Sequence, residues 1–183
     1  VQAVREIAAT SEAVLDEYEK VESIRRQSAE TLAQAEEQQK TLITSLRPDS
    51  WETIQEYVDA LHAITKQLGY LLTIRDYRYM DVARVDSLEE QLKKSQLHIS
   101  EATGVFLSTA EALEPFSEKL EALDAEAQAA TTVVQLEEPL TGLKGLGDDL
   151  DTLSQLMSTL KIDDANQRTL IVEAISAIYG RLN

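Results

Sequence analysis

Apolar residues recur at alternating spacings of three and four over the first 46 positions of the chain. A 3-4 repeat sustained over this length predicts one coiled-coil helix of about residues 2–46. The polar residues Arg25, Ser28 and Gln39 interrupt the apolar seam, and interruptions of this kind can fix the register of a coiled coil. The thirteen seam positions are Val4, Ile7, Ser11, Val14, Tyr18, Val21, Arg25, Ser28, Leu32, Ala35, Gln39, Leu42 and Leu46.

A proline ends this first helix. Pro48 disfavours helical geometry in the residue before it, so we expect a turn near Arg47. Asp49 or Ser50 is the expected cap of a second helix of about residues 50–113, along which the 3-4 spacing continues. Because the connection is short, the two long helices are predicted to be antiparallel neighbours.

Shorter helices are predicted in the rest of the chain. Their apolar stripes cover about residues 115–138, 148–160 and 164–182. The stretch Pro139–Gly147 holds half of the six glycines, and we expect a loop or a frayed turn there.

The predicted fold class is all-α: a long antiparallel coiled-coil hairpin with additional shorter helices that form a helical bundle. Residues 1–113 make the hairpin and residues 114–183 pack on it. The composition agrees, because Ala, Glu, Lys, Leu and Arg supply 84 of the 183 residues. Six glycines and three prolines are too few for the turns of a β-sandwich or barrel.

Several classes of protein are excluded or disfavoured by what the sequence lacks. The chain has no Cys, so it forms no disulfide, no thiolate site and no Cys-based zinc site. Its longest apolar runs are far shorter than a membrane-spanning helix requires. No signal peptide is visible, and the chain begins in helical phase without Met. We therefore expect a cytoplasmic segment of a larger protein, with no membrane contact.

Catalytic and cofactor motifs are equally sparse. The stretch Gly142–Gly147 resembles a phosphate-binding loop, but Asp148 and Asp149 follow where a P-loop has Lys and Ser or Thr. The two histidines, His62 and His98, lack the i, i+4 His/Glu spacing of a helical metal site. We expect no catalytic residue, cofactor or metal in this segment, which is therefore predicted not to be an enzyme.

One stretch combines arginine, tyrosine and aspartate densely. On a continuous helix, Arg78 and Arg84 would each form an i, i+3 pair with Asp81. The cluster is either an internal ion-pair network or a docking patch, since Arg, Tyr and Met are enriched at protein interfaces. Its members are Arg75, Asp76, Tyr77, Arg78, Tyr79, Asp81, Arg84 and Asp86.

The charge distribution argues against nucleic-acid binding. The formal net charge is −16. Residues 1–100 carry 12 basic and 18 acidic side chains, and residues 101–183 carry 5 and 15. Because a sequence-independent grip on DNA depends on Lys and Arg, direct binding is disfavoured. It would have to use Arg75, Arg78 and Arg84.

Two parts of the sequence carry a resemblance to a known family. The stretches Leu72–Asp86 and Asp163–Thr169, continued by Glu173–Ser176, Tyr179 and Leu182–Asn183, resemble the N-terminal helical region of large bacterial DNA-repair ATPases. Those proteins carry an AAA-type ATPase module elsewhere, and its nucleotide-binding motifs have no counterpart in this chain.

The resemblance implies a non-catalytic coiled-coil segment of an ATP-dependent, DNA-associated machine, acting as a spacer, docking or oligomerisation element. Its partner would be another protein or another part of the same polypeptide, and a homo-oligomer is possible. The alternative is a structural coiled coil or partner-binding module unrelated to DNA repair, of the cytoskeletal, secretion or chemoreceptor type.

Overall fold

The structure is a computed structural model that describes residues 2–109, 111–159 and 165–182. These residues form helices and turns without a strand, which confirms the all-α prediction for the described part of the chain. The α-helices are α1 (Gln2–Ser45), α2 (Ile54–Arg75), α3 (Val82–Leu107), α4 (Glu114–Ala129), α5 (Val133–Thr159) and α6 (Ala165–Leu182), with one 3₁₀ turn at Pro48–Ser50.

The helices group into two compact units. Unit 1 consists of residues 1–45 and 64–95, and unit 2 consists of residues 46–63 and 96–183. Both α2 and α3 contribute residues to each unit. The compact units therefore do not follow the predicted division between residues 1–113 and 114–183.

The predicted second helix of residues 50–113 is wrong in its continuity and in both ends. Helix α2 ends at Arg75, and the chain turns before α3 begins at Val82. This break is hard to predict from the sequence, because the turn contains neither glycine nor proline. Helix α3 ends at Leu107, four residues before Glu111 adopts a left-handed backbone with φ 68°.

The start of α2 is also later than predicted. The cap is formed by Thr53 and Glu56 rather than by Asp49 or Ser50. The Glu56 carboxylate accepts hydrogen bonds from the backbone N–H groups of Glu52 and Thr53, both at 2.9 Å. These backbone hydrogen bonds lower the pKa of Glu56. The arrangement is a capping box, in which an acidic side chain at the third helical position satisfies N–H groups at the helix start.

The predicted loop Pro139–Gly147 is helical. This stretch lies inside α5, and the apolar stripe of α5 is buried from Leu146 to Met157. Gly142 lies where a Cβ atom would come within 2.6 Å of Leu123 Cδ2, so the missing side chain permits close packing against α4. The glycines of α5 are thus compatible with the helix and do not end it.

The real break falls earlier, at residues 130–132 between α4 and α5. Ala130 is extended, and the Thr132 hydroxyl accepts the backbone N–H of Gln135 at 3.3 Å. The Gln135 side chain in turn accepts the backbone N–H of Thr131 at 2.9 Å. This local capping replaces the predicted continuation of a helix over 115–138.

Unit 1 has a small core with buried polar residues. The Gln67 side chain donates to the backbone oxygen of Ala35 at 3.1 Å, and the Gln39 side chain donates to the backbone oxygen of Leu88 at 3.0 Å. These bonds join α1 to α2 and to α3. The buried apolar residues of the unit are Ala35, Ile64, Leu71, Ile74, Val85, Leu88 and Leu92.

Unit 2 has a larger and more apolar core, to which α4, α5 and α6 all contribute. Tyr57 is central to one side of it, with its ring centroid 4.9 Å from those of Trp51 and Phe106. The Tyr57 hydroxyl donates to the backbone oxygen of Pro48 at 3.1 Å. The buried members are Ile54, Tyr57, Val58, Leu107, Ala112, Phe116, Leu120, Leu146, Leu150, Leu153, Met157, Ile171, Ile175 and Ile178.

Candidate functional site

The densest part of the predicted cluster forms the turn between α2 and α3, residues 76–81, which we call the α2–α3 turn. The backbone N–H of Tyr77 donates to the oxygen of Ile74 at 3.0 Å, and that of Met80 donates to the oxygen of Tyr77 at 3.1 Å. Asp81 then starts α3, because its carboxylate accepts the backbone N–H of Arg84 at 3.1 Å. The predicted pairing of Asp81 with Arg78 assumed a helix that this turn replaces. The side chain of Arg84, predicted to pair with Asp81, forms an ion pair with Glu36.

Tyr79 occupies an unusual backbone conformation in the turn. Its φ is 62°, in the left-handed region that residues with a Cβ atom rarely enter. Its ring lies beside two guanidinium groups, with Arg25 at 5.1 Å and Arg78 at 5.2 Å from the ring centroid. Cation–π contacts of this kind are worth about 0.5–1 kcal/mol each at exposed sites, comparable to the cost of the backbone conformation.

Helix α1 supports the turn through a polar residue of its seam. The hydroxyl of the buried Ser28 donates to the backbone oxygen of Arg78 at 2.7 Å. This bond gives a hydrogen-bond donor to a carbonyl group of the turn, which lies between the two helices. Two of the polar interruptions in the seam, Arg25 and Ser28, therefore mark the place where α1 meets the turn.

Three other members of the predicted cluster, Arg75, Arg84 and Asp86, form ion pairs. Arg75 Nη1 lies 2.7 Å from Asp86 Oδ1 and 3.6 Å from Glu89 Oε2. Arg84 donates to Glu36 on α1, and this hydrogen bond raises the pKa of the Arg84 guanidinium. All three contacts lie inside unit 1.

An open groove of about 580 Å³ lies between α1 and the α2–α3 turn. Mostly polar side chains of α1 form one wall, and Asp76, Tyr77 and Arg78 form the other. Tyr77 is 47% exposed and Tyr79 is 42% exposed, so two aromatic rings reach solvent at this end of unit 1. The residues that α1 contributes are Ile24, Gln27, Ser28, Glu30, Thr31 and Gln34.

The eight predicted residues thus divide by role. Arg75, Arg84 and Asp86 are engaged in ion pairs, and Asp81 caps α3. Asp76, Tyr77, Arg78 and Tyr79 form the surface of the turn beside the groove.

Sequence reasoning missed the partners that α1 and α3 bring to the cluster, namely Arg25, Ser28, Glu36 and Glu89. Arg25 and Ser28 carried a usable signal, because both break the apolar seam. Nothing in the sequence distinguished Glu36 and Glu89 from the many other acidic residues of the chain.

Unit 2 contains a second polar cluster that the sequence did not suggest. His62 Nε2 lies 2.8 Å from the Thr152 hydroxyl, and His62 Nδ1 lies 3.7 Å from the buried Asp149 carboxylate. Asp149 also accepts a hydrogen bond from Gln55 at 3.1 Å. The Thr152 hydroxyl donates to the backbone oxygen of Asp148 at 3.0 Å, so its proton is not directed at the imidazole as a nucleophile would require. The cluster stabilises the packing of α2 against α5.

The described residues contain neither a group of side chains suited to a metal ion nor a helix suited to a membrane. No three His, Asp or Glu side chains in residues 2–109, 111–159 and 165–182 are grouped so that they could hold a metal ion. None of the helices in the same ranges combines the length and the apolar character needed to cross a membrane.

Comparison with known proteins gives one partial match. Residues 111–183 match a family described as a domain of unknown function (DUF7902). No curated protein and no solved structure matches the chain. The matched residues lie within unit 2, and the α2–α3 turn lies outside them.

Proposed function

We propose that the chain is a non-catalytic helical docking element of a larger assembly, and that the α2–α3 turn is its recognition surface. The observation that carries this proposal is Tyr79, held at φ 62° between Arg25 and Arg78 beside an open groove. A rigid turn with exposed tyrosines presents large contact area at a low cost in conformational entropy.

The ion pairs of Arg75 and Arg84 support this proposal. Arg75 and Arg84 are bound by carboxylates of α3 and α1, so they hold the turn in place and leave Tyr77 and Tyr79 as its outward groups. The partner that fits such a surface is a protein, or another part of the same polypeptide, with apolar side chains for the rings and hydrogen-bonding groups for the polar groove.

The resemblance of residues 72–86, 163–169, 173–176, 179 and 182–183 to the helical region of bacterial DNA-repair ATPases extends the proposal. In that setting the chain is an accessory segment that docks onto the ATP-dependent machinery. The alternative is a partner-binding coiled coil of a cytoskeletal, secretion or chemoreceptor system.

Site-specific photo-crosslinking tests the docking surface. A photoreactive amino acid replaces Tyr77 in the chain expressed in cells, and the matched control carries it at Leu97, which is 58% exposed on α3. We expect a discrete crosslinked protein from position 77 and none from position 97. The same products from both positions would contradict the proposal.

The identity and affinity of the crosslinked protein give the second readout. Peptides of an ATPase module would support the DNA-repair setting, and peptides of a filament, secretion or receptor component would support the alternative. With the purified partner, Tyr77→Ala should weaken binding by about fivefold or more, as expected for an interface tyrosine worth at least about 1 kcal/mol. Leu97→Ala should leave the affinity unchanged, and ATP hydrolysis by the purified chain alone would refute a non-catalytic role.

Direct nucleic-acid binding receives less support. Of the three arginines that it would use, Arg75 and Arg84 already face carboxylates, which leaves Arg78. Fluorescence anisotropy at low salt should show negligible binding of DNA or RNA by both the wild type and Arg78→Glu. Tight binding by the wild type that the substitution abolishes would favour this function over protein docking.

A further inference from the structure

The apolar seam of α1 is covered over only part of its length. From Ser28 onwards, α2 and α3 of unit 1 pack against it, and Ser28, Ala35 and Gln39 are buried. Before Val21 the same stripe is open: Ile7 is 67% exposed, Val14 is 64% exposed and Tyr18 is 62% exposed. Leu15, beside the stripe, is 60% exposed.

The position of the α2–α3 turn explains this difference. The turn meets α1 at Arg25 and Ser28, so α2 ends and α3 begins at that level of the helix. Residues of α1 before Val21 extend past the turn. The 3-4 spacing nevertheless continues through them without a skip, so the open stripe prolongs the covered seam.

The charges beside the stripe indicate what could cover it. In the heptad that the seam defines, the positions flanking residues 7–18 are Ala8, Thr10, Leu15 and Glu17, of which one is charged. The remaining acids of this segment, Glu12 and Asp16, fall on the opposite side of the helix. A stripe with nearly neutral edges suits an identical partner, even though the whole chain carries a net charge of −16.

We propose that residues 7–18 of α1 pair with the same residues of a second copy of the chain to form an antiparallel coiled coil. In this arrangement Ile7 packs on Tyr18 of the second copy, and Ser11 packs on Val14. The flanking contacts are Ala8 with Leu15 and Thr10 with Glu17, so no two like charges face each other. A parallel pairing would instead place Glu17 opposite Glu22 on both sides, and like charges at those positions are destabilising.

Light scattering over a concentration series tests the surface. The average mass measured for the wild-type chain should rise from 20.4 kDa towards twice that value as the protein concentration increases. Val14→Glu combined with Tyr18→Glu should hold the chain at the monomer mass. The control, Ala9→Glu combined with Ala13→Glu, adds the same charge to the outer face of the same helix and should leave the dimer intact. A wild-type monomer throughout, or a dimer that both double variants retain, would overturn the proposal.

Crosslinking tests the orientation, because the chain has no native Cys. In the antiparallel pairing, position 7 of one copy faces position 18 of the other. Two copies of position 18 are then about 16 Å apart along the axis at about 1.5 Å per residue, beyond the reach of a disulfide. Under mild oxidation, an equal mixture of Ile7→Cys and Tyr18→Cys chains should therefore form a crosslinked dimer, and neither variant should crosslink alone. Crosslinking of Tyr18→Cys by itself would show a parallel pair and refute the arrangement.

Discussion

The two units of this chain are built from the same kind of helix but are stabilised differently. Unit 2 buries a continuous apolar cluster that includes Tyr57 and Phe116. Unit 1 places Ser28, Gln39 and Gln67 among its buried residues and joins its helices through their hydrogen bonds. Apolar burial stabilises without direction, whereas a buried hydrogen bond fixes one register. Apolar burial is therefore the more extensive in unit 2, whereas the buried hydrogen bonds of unit 1 give the α2–α3 turn a defined geometry.

The largest effect on stability is expected for a substitution in the apolar core of unit 2. Leu150→Ala removes a fully buried side chain and should lower the free energy of unfolding by about 2–5 kcal/mol, since it leaves a cavity. Leu140→Ala on the same helix removes a side chain that is 57% exposed and should change stability by less than about 0.5 kcal/mol. Urea denaturation followed by circular dichroism measures both. Equal effects would show that α5 does not bury the face described.

The polar seam of unit 1 should respond more weakly but with a specific local consequence. Ser28→Ala removes the hydrogen bond to the backbone oxygen of Arg78 and should cost about 0.5–1.5 kcal/mol. Because that bond supports the turn, amide hydrogen exchange should increase at residues 76–81. Ser45→Ala, which removes only a bond to Leu42 in the same helix, is the control and should leave exchange at the turn unchanged. Unaltered exchange in Ser28→Ala would show that α1 does not hold the turn.

A pair of glycine substitutions tests the helical assignment of residues 139–147 in unit 2. Gly145→Ala meets nothing within 4 Å and should raise the free energy of unfolding by about 1 kcal/mol, because alanine favours a helix over glycine. Gly142→Ala places a Cβ atom 2.6 Å from Leu123 Cδ2, so the clash should cancel part or all of that gain. Thermal melts of the two variants compare them directly. A loop over these residues would give no stabilisation by Gly145→Ala.

The sequence predicted the elements whose signals are local and missed those that depend on contacts across the chain. The 3-4 spacing located α1 and the apolar faces of the later helices. The turn at residues 76–81 could not be predicted, because it is stabilised by Ser28 and Arg25 of α1, which are distant in the sequence. The turn also contains no glycine or proline that would have indicated it. Conversely, Pro139 and the glycines after it predicted a loop, although contacts such as that of Gly142 with Leu123 favour a helix.

The candidate site was predicted by composition but not by geometry. The dense arginine, tyrosine and aspartate content drew attention to residues 75–86. Their division into ion pairs, a helix cap and an exposed surface required the positions of Glu36 and Glu89, two acids without any distinguishing pattern. The polar interruptions of the α1 seam were the one long-range signal in the sequence, since a buried polar residue needs a partner elsewhere in the fold.

The smallest effect is expected at the start of α2, which is stabilised differently from its other end. The turn that follows its last residue is supported by a hydrogen bond from α1, whereas its start in unit 2 is capped locally by Thr53 and Glu56. Hydrogen bonds from backbone N–H groups lower the pKa of Glu56, so the folded state favours the charged carboxylate. The stabilisation by this charge is present above the pKa of glutamate in the unfolded chain, about 4.3, and is lost as the pH falls through the lower pKa of the folded state.

Glu56→Gln should therefore have a lower urea midpoint than the wild type at pH 7, and the difference between the two midpoints should shrink towards pH 3. Glu126→Gln on α4 serves as the control for removing an exposed acid. A gap between wild type and Glu56→Gln that stays constant with pH would show that the charge of Glu56 does not stabilise the start of α2.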